Sequence, residues 1–369
     1  MIPILFPPEE TLYDSNGIGR LSDATVCTVT EERNGIYELA MTYPVAGIHF
    51  EDIQLGCQIL AKPSDTMRSQ PFEIVNVRKT LESTIEIVAE HISYRMGFIP
   101  VKPVSNSSWI TAGAAIDAVK ANIVGTCPFS VSTDKADKAV FELKEPASLK
   151  SVLYGKEGSL LDMYGGTWEF DWYSAVLKGK RGQDTGMVIR YGKDLTELKY
   201  EESREGIYTG VLPYWRGTVG SGDEAQDVVV VADSPVTVPA FANSLPYPRN
   251  IVLDVTSDFQ QGEFTDQPSK AQVVEKGKAY VDKNVTETES INIEVSFAPL
   301  WQMDHSNTVQ HPLIGLCDEL TVVHGPMGVL YSGRIVKTEY DVLRNRYNTL
   351  GIGLLKPKLS DILIAGGIK

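Results

Sequence analysis

Residues 25–44 read TVCTVTEERNGIYELAMTYP, two runs rich in β-branched and aromatic residues on either side of Asn34-Gly35. An Asn-Gly pair between alternating runs is a strong hairpin signal, because both residues tolerate the positive φ of a tight primed turn. In the second run the large apolar side chains recur at every second position and so share one face of a strand: Tyr37, Leu39, Met41 and Tyr43. This segment predicts a β-hairpin with one face in the core.

The rest of the chain continues with strands and a few helices. Residues before position 98 read as a β meander of barrel or sandwich type. Further strands are predicted at 56–62, 72–79, 84–90, 167–173, 187–191, 290–297, 319–324, 329–340 and 346–353. Helices are predicted over 109–123 after the polar pair Ser107-Ser108, from about Ser148, from Pro268 to about Asp282, and over 358–364. The Gly- and Pro-rich stretch 217–248 predicts a loop or an edge excursion.

A shift of the chain by 261 positions gives a faint internal repeat. It places Ile53, Leu55, Ile74 and Val75 on Ile314, Leu316, Ile335 and Val336, and Ile59 on Leu320. Four identities can arise by chance between β-rich segments, but the order of elements also matches. In both places a strand ends at a turn, a longer strand with Ile-Val follows, and another strand and a short helix come next. We therefore predict two similar β units that flank a middle of mixed helix and sheet.

Length and charge restrict the possible functions. The chain has 369 residues, 43% of them hydrophobic, and a formal net charge of −14. This length suggests two or three domains. The acidic balance argues against general affinity for DNA, RNA or anionic lipid, since such partners attract clustered Lys and Arg.

Neither the cysteines nor the apolar segments indicate a disulfide-bonded, secreted or membrane-spanning protein. The four cysteines, Cys27, Cys57, Cys127 and Cys317, form no CxxC pair and are interpreted as reduced core residues. The N-terminal apolar stretch is broken by prolines and lacks a basic region, so no signal peptide is expected. No window has the roughly 18 apolar residues of a membrane span.

One region has a loose resemblance to a metal site. It contains His305, His311, Cys317 and His324, separated by six or seven residues. Structural zinc sites usually begin with a pair of ligands about 2 to 4 residues apart. We therefore expect no metal site, and Cys317 is interpreted as a buried residue at one end of a strand that ends at His324.

Glu169 and Asp171 are the best candidates for paired catalytic carboxylates. Two residues apart on a strand, they point to the same face, as the acid and base of a glycosidase could. Glycosidase carboxylates generally come from separate strands, however, and Trp168, Phe170 and Trp172 form the alternate, apolar row. An amphipathic strand is the favoured interpretation.

The segment GKRGQDTG at 179–186 is glycine-rich and locally basic, which raises the possibility of a phosphate loop. It lacks the GxxxxGK[ST] order and runs from strand to strand instead of into a helix. We predict a β turn with a solvated tip. No serine lies in a GxSxG elbow, so nothing in the sequence argues for a catalytic triad.

Several longer stretches, considered together, resemble the phage tail hub family. They are LLDMYGGTWEFD at 160–171 with 180–182 and 189–195, TGVLPYW at 209–215, VLDVTSDF at 252–259, LCDELTV at 316–322, YDVL at 340–343 and Arg346-Tyr347. The family includes proteins described as prophage endopeptidase tail and as phage minor structural protein, N-terminal region, and is similar to baseplate hub proteins of contractile-tailed phages. The resemblance extends from Leu21 to Leu363.

The resemblance implies a mainly β fold with α+β parts, in which two tube-type antiparallel β barrels are joined by α/β domains and assemble as a ring. The expected division is a first barrel at 1–97, an α+β domain at 98–205, connecting strands with the Pro/Gly-rich excursion and a helix at 206–284, a second barrel at 285–356, and a C-terminal helix and tail at 357–369. Three subunits would supply six barrels to meet a sixfold tail tube.

The same resemblance implies the partners and the location. They are further copies of the chain in a homotrimer, the tail tube or a distal tail protein, and a tip or spike protein. The implied location is the tip or baseplate of a virion tail made in the host cytoplasm. A trimer would carry a formal charge of −42, three times −14, so an acidic channel could let DNA pass without adhering. Tight retention of DNA by the immobilised protein at low salt would contradict this.

No catalytic residue, cofactor or metal is expected from the resemblance. Peptidase activity in the family, where present, resides in extra C-terminal domains, and this chain ends soon after the second barrel. Trp168 and Tyr164 are interpreted as packing residues, and Arg181 with Asp184 as a turn or interface pair. Two alternatives stay open: a tail-associated peptidoglycan endopeptidase, and a carbohydrate-binding module that would use Tyr214 and Trp215.

Overall fold

The computed structural model describes residues 2–79, 81, 83–105, 108–203, 208–219, 226–239, 246–259, 267–284, 290–297 and 313–353. The predicted helix at 358–364 and the tail at 357–369 lie outside these residues. The chain divides into two compact units, one formed by residues 1–200 with 292–369 and the other by 201–291. The fold is mainly β with α+β parts, as the sequence predicts.

The strands occur in the following order along the chain. The first twelve are β1 (Ile4–Phe6), β2 (Gly19–Arg20), β3 (Val26–Glu32), β4 (Tyr37–Pro44), β5 (Gln58–Ala61), β6 (Gln70–Lys79), β7 (Thr84–His91), β8 (Pro100–Val101), β9 (Trp109–Thr111), β10 (Ser130–Thr133), β11 (Lys138–Val140) and β12 (Ala147–Ser148). The others are β13 (Thr167–Asp171), β14 (Ser174–Lys178), β15 (Asp184–Arg190), β16 (Leu195–Ser203), β17 (Gly210–Val219), β18 (Gln226–Val231), β19 (Val236–Thr237), β20 (Asn250–Asp254), β21 (Ser290–Phe297), β22 (Glu319–His324), β23 (Val329–Asp341) and β24 (Arg346–Gly353).

The helices are fewer. The α-helices are α1 (Ala112–Ala121), α2 (Leu149–Leu153), α3 (Leu160–Tyr164) and α4 (Lys270–Asn284), and short 3₁₀ turns lie at Ile92–Phe98, Thr256–Phe259 and Gly325–Met327. None of the helices in the described part of the chain is long and apolar enough to cross a membrane.

The predicted hairpin is confirmed, but its turn differs from the expected one. β3 and β4 pair antiparallel, and Glu31 lies opposite Tyr37. Of the Asn-Gly pair only Asn34 has a positive φ, 57°, and the N–H of Glu32 donates to the carbonyl of Ile36 at 2.7 Å. The loop therefore contains three residues instead of two. Arg33 is the extra residue, and its N–H donates to the carbonyl of Val336 at 2.9 Å.

The strands predicted as two barrels form one continuous sheet. Its order is β16-β21-β24-β23-β3-β4-β7-β6-β5-β1-β2, with β22 beside β23 and β15 beside β22. The two halves meet where β3 pairs antiparallel with β23, from Glu32 opposite Lys337 to Thr28 opposite Asp341. The first strand of the hairpin is thus paired on both edges.

The backbone pairing confirms the internal repeat. β5 pairs with β6 in the same register as β22 with β23, since Ile59 lies opposite Phe72 and Leu320 opposite Gly333, each pair offset by 261. Both longer strands then carry a bulge at the Ile-Val dipeptide, at Val75 and at Val336. A faint sequence signal therefore reflects a repeated strand order and a repeated irregularity.

The residues between the two barrel regions form the α+β part. α2 begins at Ser148 as predicted, and the Ser148 hydroxyl accepts from the N–H of Ser151. The helix predicted over 109–123 begins later, because residues 109–111 pair with β11 and Thr111 caps α1. Trp168 and Tyr164 are packing residues, as expected, and their polar atoms donate to backbone carbonyls of Leu153 and Ile110.

The second unit is a small sheet covered by a helix. β17 pairs with β18, β19 and β20. The prediction of a loop or excursion at 217–248 is therefore wrong for 217–219, 226–231 and 236–237, which belong to β17, β18 and β19. The valine run at 228–231 favours a strand despite the prolines that follow it. The predicted helix is α4. Its Gly277 allows close packing, since a Cβ there would lie 2.7 Å from Cγ of Pro213.

A buried ion pair lies behind β3. Nη2 of Arg181 lies 2.8 Å from Oε1 of Glu31, and only 7% and 4% of these side chains are exposed. Nη1 of Arg181 donates to the carbonyl of Trp168 at 3.2 Å. The Arg181–Asp184 pair is therefore wrong, and Arg181 does not belong to a solvated tip, although its neighbours Gly179 and Lys180 are exposed as predicted. Glu31 shares the buried face of β3 with Cys27 and Val29, and a charge there needs an opposite charge close by.

A second buried polar group is His91, at the end of β7. Its Nδ1 lies 2.9 Å from Oγ of Ser93 and its Nε2 lies 3.2 Å from Oε1 of Gln70. The ring stacks on Tyr37, with centroids 4.3 Å apart. Burial lowers the pKa of His91 from 6.5 to about 3, although the charge of Asp171 acts in the opposite direction.

We predict that replacing Arg181 alone destabilises the protein more than replacing both partners. Arg181→Met should lower the free energy of unfolding by about 3–5 kcal/mol, because the Glu31 carboxylate stays buried without its cation. Arg181→Met with Glu31→Leu should recover most of this loss. Urea unfolding of the variants measures both effects. The exposed pair of Lys120 and Asp117 provides the control, and Lys120→Met should cost less than about 1 kcal/mol. Equal losses in the single and double variants would contradict the prediction.

We also predict acid destabilisation through His91. The folded-state pKa lies below the unfolded value, so only the unfolded chain takes up this proton between pH 6.5 and about pH 3. The contribution of His91 is complete above pH 6.5 and decreases by about 1.4 kcal/mol per pH unit as the pH falls through this window. Urea unfolding at a series of pH values measures the slope. His91→Gln should show a smaller slope, and an unchanged slope in this variant would rule out His91 as its source.

Candidate functional site

A cleft in the first unit lies where the two barrel regions meet the α+β part. Its volume is about 470 Å³. Four segments line it, namely the loop between β5 and β6, strand β13, the loop before β15 and the turn before β22, which contribute Ser64, Thr66, Met67, Arg68, Glu169, Asp171, Arg181, Gly182, Gln183, Gly315, Leu316 and Asp318. The cleft therefore brings together residues that are up to about 250 positions apart in the sequence.

Asp171 is the centre of a polar network on one wall of the cleft. Its Oδ1 accepts from Nε of Arg68 and from Nε2 of Gln70, each at 2.7 Å. The guanidinium of Arg68 also lies over the ring of Trp172, 4.1 Å from its centroid. Burial tends to raise the pKa of Asp171, but the bonds from Arg68 and Gln70 outweigh it and hold this pKa below its usual value. The carboxylate is therefore fixed in its ionised form.

Asp318 connects the two loops on the opposite wall. Its Oδ1 accepts from the N–H of Gln183 and its Oδ2 from the N–H of Gly315, both at 2.8 Å. Gly182 packs directly on this turn, since a Cβ there would lie 2.1 Å from the carbonyl oxygen of Cys317. A side chain at position 182 would push the two loops apart. Oδ1 of Asp318 thus holds the loop between β14 and β15 against the turn before β22, and Oδ2 stabilises that turn itself.

The two carboxylates singled out from the sequence both line the cleft, but they do not resemble an acid–base pair. Glu169 lies 2.6 Å from Nζ of Lys178 and 3.4 Å from Nε of Arg181, and Asp171 is bound by Arg68. A general acid needs a raised pKa, whereas that of Asp171 is lowered. The geometry thus favours the interpretation of β13 as an amphipathic strand. Trp168 and Phe170 are buried as expected, but Trp172 lies in the turn with φ of 53° and is half-buried.

The loosely spaced metal candidates are not brought together by the described residues. Cys317 is buried, but it lies in a turn before β22 with φ of 73°, so its placement at the end of the strand is wrong. His324 ends β22, where its Nδ1 accepts from the N–H of Met327 at 3.1 Å. His305 and His311 lie outside the described residues. Within those residues no group of three or more His, Cys, Asp or Glu side chains is arranged to hold a metal ion.

The aromatic pair proposed for carbohydrate binding is half-buried in the second unit. The hydroxyl of Tyr214 donates to Oδ2 of Asp254 at 2.9 Å, and Trp215 packs against the apolar cluster around Val230 and Val255. Sugar-binding platforms need an open aromatic face. These two residues therefore do not form the exposed platform that this alternative required.

Most of the residues that hold the cleft together carry no signal in the sequence. Glu31, Arg68, Gln70 and Asp318 belong to no recognisable motif, and the glycines around Arg181 indicate a solvated turn instead of a buried ion pair. One signal was available for Glu31, because it continues the alternate apolar row of Cys27 and Val29. An acidic residue in such a row indicates a buried charge with a partner.

No protein-family model and no curated protein matches this chain. Solved structures do match it. The prophage tail protein gp18 of Listeria monocytogenes EGD-e is 13% identical, with a TM-score of 0.57 over 99% of this chain and 98% of that chain. The tail protein of Neisseria meningitidis MC58 is 9% identical, with a TM-score of 0.56 over 96% of both chains.

A third solved structure gives the same result. The 43 kDa tail protein of prophage MuSo2 from Shewanella oneidensis is 12% identical, with a TM-score of 0.53 over 95% of this chain and 97% of that chain. These likenesses extend over nearly the whole chain and include both barrel regions and the α+β part. The resemblance found in the sequence is therefore confirmed as a likeness of fold, and this chain has the fold of prophage tail proteins.

Proposed function

We propose that the chain is a structural protein of a phage, prophage or tailocin tail, and that it forms a trimeric hub at the tip or baseplate. The observation that carries the proposal is the likeness of fold to tail proteins over 99% of the chain. The repeated barrel unit supports the trimer, because three copies with two barrels each can meet a sixfold tube. The proposed location is the virion tail, after synthesis in the host cytoplasm.

The cleft supports a structural role in the same region. Its carboxylates bind cations or backbone N–H groups, and these bonds connect segments from both barrel regions. Such a network holds loops in place, and it lowers the pKa of Asp171, whereas a general acid requires a raised pKa. We therefore propose that the chain itself is not an enzyme.

The proposed partners follow from this position. They are two further copies of the chain, the tail tube or a distal tail protein on one side, and a tip or spike protein on the other. DNA would pass through the ring without specific recognition, and the net charge of −14 per chain favours passage without adhesion.

We predict that the isolated chain forms a trimer. Light scattering coupled to size exclusion, at several concentrations, should give a mass three times the 40.6 kDa of the chain. The fraction of trimer should increase with concentration if the subunits dissociate. A mass of one chain at every concentration would contradict the ring, and a mass of two or four chains would contradict the trimer.

We also predict that the chain does not cleave peptidoglycan. Incubation with purified cell wall should release no new amino groups, while a known muralytic enzyme should release them under the same conditions. The Glu169→Gln and Asp171→Asn variants provide matched controls, because both carboxylates line the cleft. Release by the wild-type chain that is lost in either variant would support the endopeptidase alternative instead.

A further inference from the structure

The repeat extends beyond the two strand pairs that first reveal it. Leu39 lies opposite Ala89 on β4 and β7, and Met41 lies opposite Ile87. On β21 and β24 the corresponding pairs are Ile293 with Ile352 and Val295 with Leu350. β24 also pairs with β23 as β7 pairs with β6, since Ile335 lies opposite Ile352 and Ile74 opposite Ala89, so β24 repeats β7 and its partner β21 repeats β4.

Each repeat is therefore a row of five strands with the same order. The first is β3-β4-β7-β6-β5, and the second is β16-β21-β24-β23-β22. In each row the first strand, β3 or β16, is an edge. On the other side of the row, the second half of the long strand, β6 or β23, extends beyond its short neighbour, β5 or β22, and so has a second free edge in the row.

Within the chain, the edge of β3 is already paired with the edge of the second half of β23. The second half of β23 extends beyond β22 and pairs with β3, from Lys337 opposite Glu32 to Asp341 opposite Thr28. Outside this ladder, the carbonyl of Val336, at the bulge, accepts from the N–H of Arg33 at 2.9 Å. This joint connects the second repeat to the first by main-chain hydrogen bonds.

The equivalent edges at the two outer positions lack such a partner among the described residues. β16 pairs with β21, and apart from a single bridge between its first residue, Leu195, and Tyr191 no described strand lies along its other edge. On β6, Gln70–Glu73 pair with β5 and Ile74 bonds to Gly56 and Cys57, but no described strand lies on that side of residues 75–79. Val75, equivalent to Val336 at the bulge, is 44% exposed. The sheet has other edges at β2 and β15, but neither has a paired counterpart within the chain.

We propose that β16 of one copy pairs antiparallel with the Val75–Lys79 half of β6 in a second copy, as β3 pairs with β23 within one chain. This inference rests on the proposed function for the number of copies, but the edges themselves are identified from the repeat. Such a head-to-tail contact uses two different surfaces, so successive copies close into a ring when the rotation between them allows it.

The charges on the two edges are complementary. The β6 half carries Arg78 and Lys79, whereas β16 carries three carboxylates, Glu197, Glu201 and Glu202, and one cation, Lys199. Lys199 is paired with Glu294 of the neighbouring β21 at 3.2 Å. Arg78 is largely solvated, since 76% of its side chain is exposed and it lies 3.4 Å from the exposed Glu86. The β3–β23 pairing within the chain also places opposite charges together, because Lys337 lies opposite Glu32. Opposite charges across neighbouring strands favour the correct partner and register.

Charge reversal on each edge tests the proposal. Arg78→Glu with Lys79→Glu, and separately Glu197→Lys with Glu202→Lys, should each raise the concentration of half-assembly at least about tenfold, because like charges then face each other. All four substitutions in one chain should restore assembly, since every joint regains opposite charges. Light scattering at several concentrations measures the change. Lys102→Glu with Lys138→Glu changes the charge equally on exposed positions of the α+β part and should leave assembly unchanged.

Hydrogen exchange of the wild-type protein provides a second measurement that does not depend on variants. The amides of residues 76–79 and 195–200 should exchange more slowly in the assembled form than after dilution to the monomer. Unchanged exchange at both edges would overturn the proposal. An assembly that neither charge reversal weakens would overturn it as well, and would leave the ring itself intact. A wild-type chain that stays monomeric at its highest soluble concentration would overturn both the interface and the ring.

Discussion

The antiparallel pairing of β3 with β23 connects parts of the chain that are about 300 residues apart. Because β3 also pairs with β4, its position is fixed from both edges, and a slip of one residue would turn every side chain to the wrong face. This register places Glu31 on the buried face, where it meets Arg181. The same strand therefore sets the relation of the two repeats and anchors the loop that forms one wall of the cleft.

The two repeats share their strand order but differ where each contacts the rest of the molecule. The turn before the short strand needs a left-handed residue in both, which is Gly56 with φ of 86° in the first and Cys317 with φ of 73° in the second. Leu55 is 65% exposed, whereas its counterpart Leu316 is buried. The second turn packs tightly against the loop at Gly182, whereas the first lies beside Pro8, whose Cβ would be 3.8 Å from a Cβ at position 56. Contacts with residues outside the two repeats thus explain why the repeats share so few identical residues.

The cleft illustrates how a charged surface can be structural. Arg181, Asp171 and Asp318 belong to different elements, and each is held by several bonds in fixed directions. Arg181 and Asp318 are buried, whereas 42% of the Asp171 side chain is exposed. For the buried ion pair of Arg181 and Glu31, desolvation offsets much of the attraction. In this protein the bonds of Arg181, Asp171 and Asp318 fix the positions of the segments that line the cleft, because each bond requires a particular direction between its two groups.

The sequence by itself determined the elements whose periodicity is local. Alternation from Tyr37 to Tyr43, the position of the hairpin turn and the strands from residue 319 onward all follow from side-chain patterns a few residues long, and the shift of 261 residues revealed the repeat. Only the tertiary structure decided that β3 pairs with β23, that Arg181 is buried against Glu31, and that the valine runs at 226–231 complete a sheet. These features depend on partners more than a few residues away, and main-chain pairing between distant strands leaves almost no trace in the identity of the residues that form it.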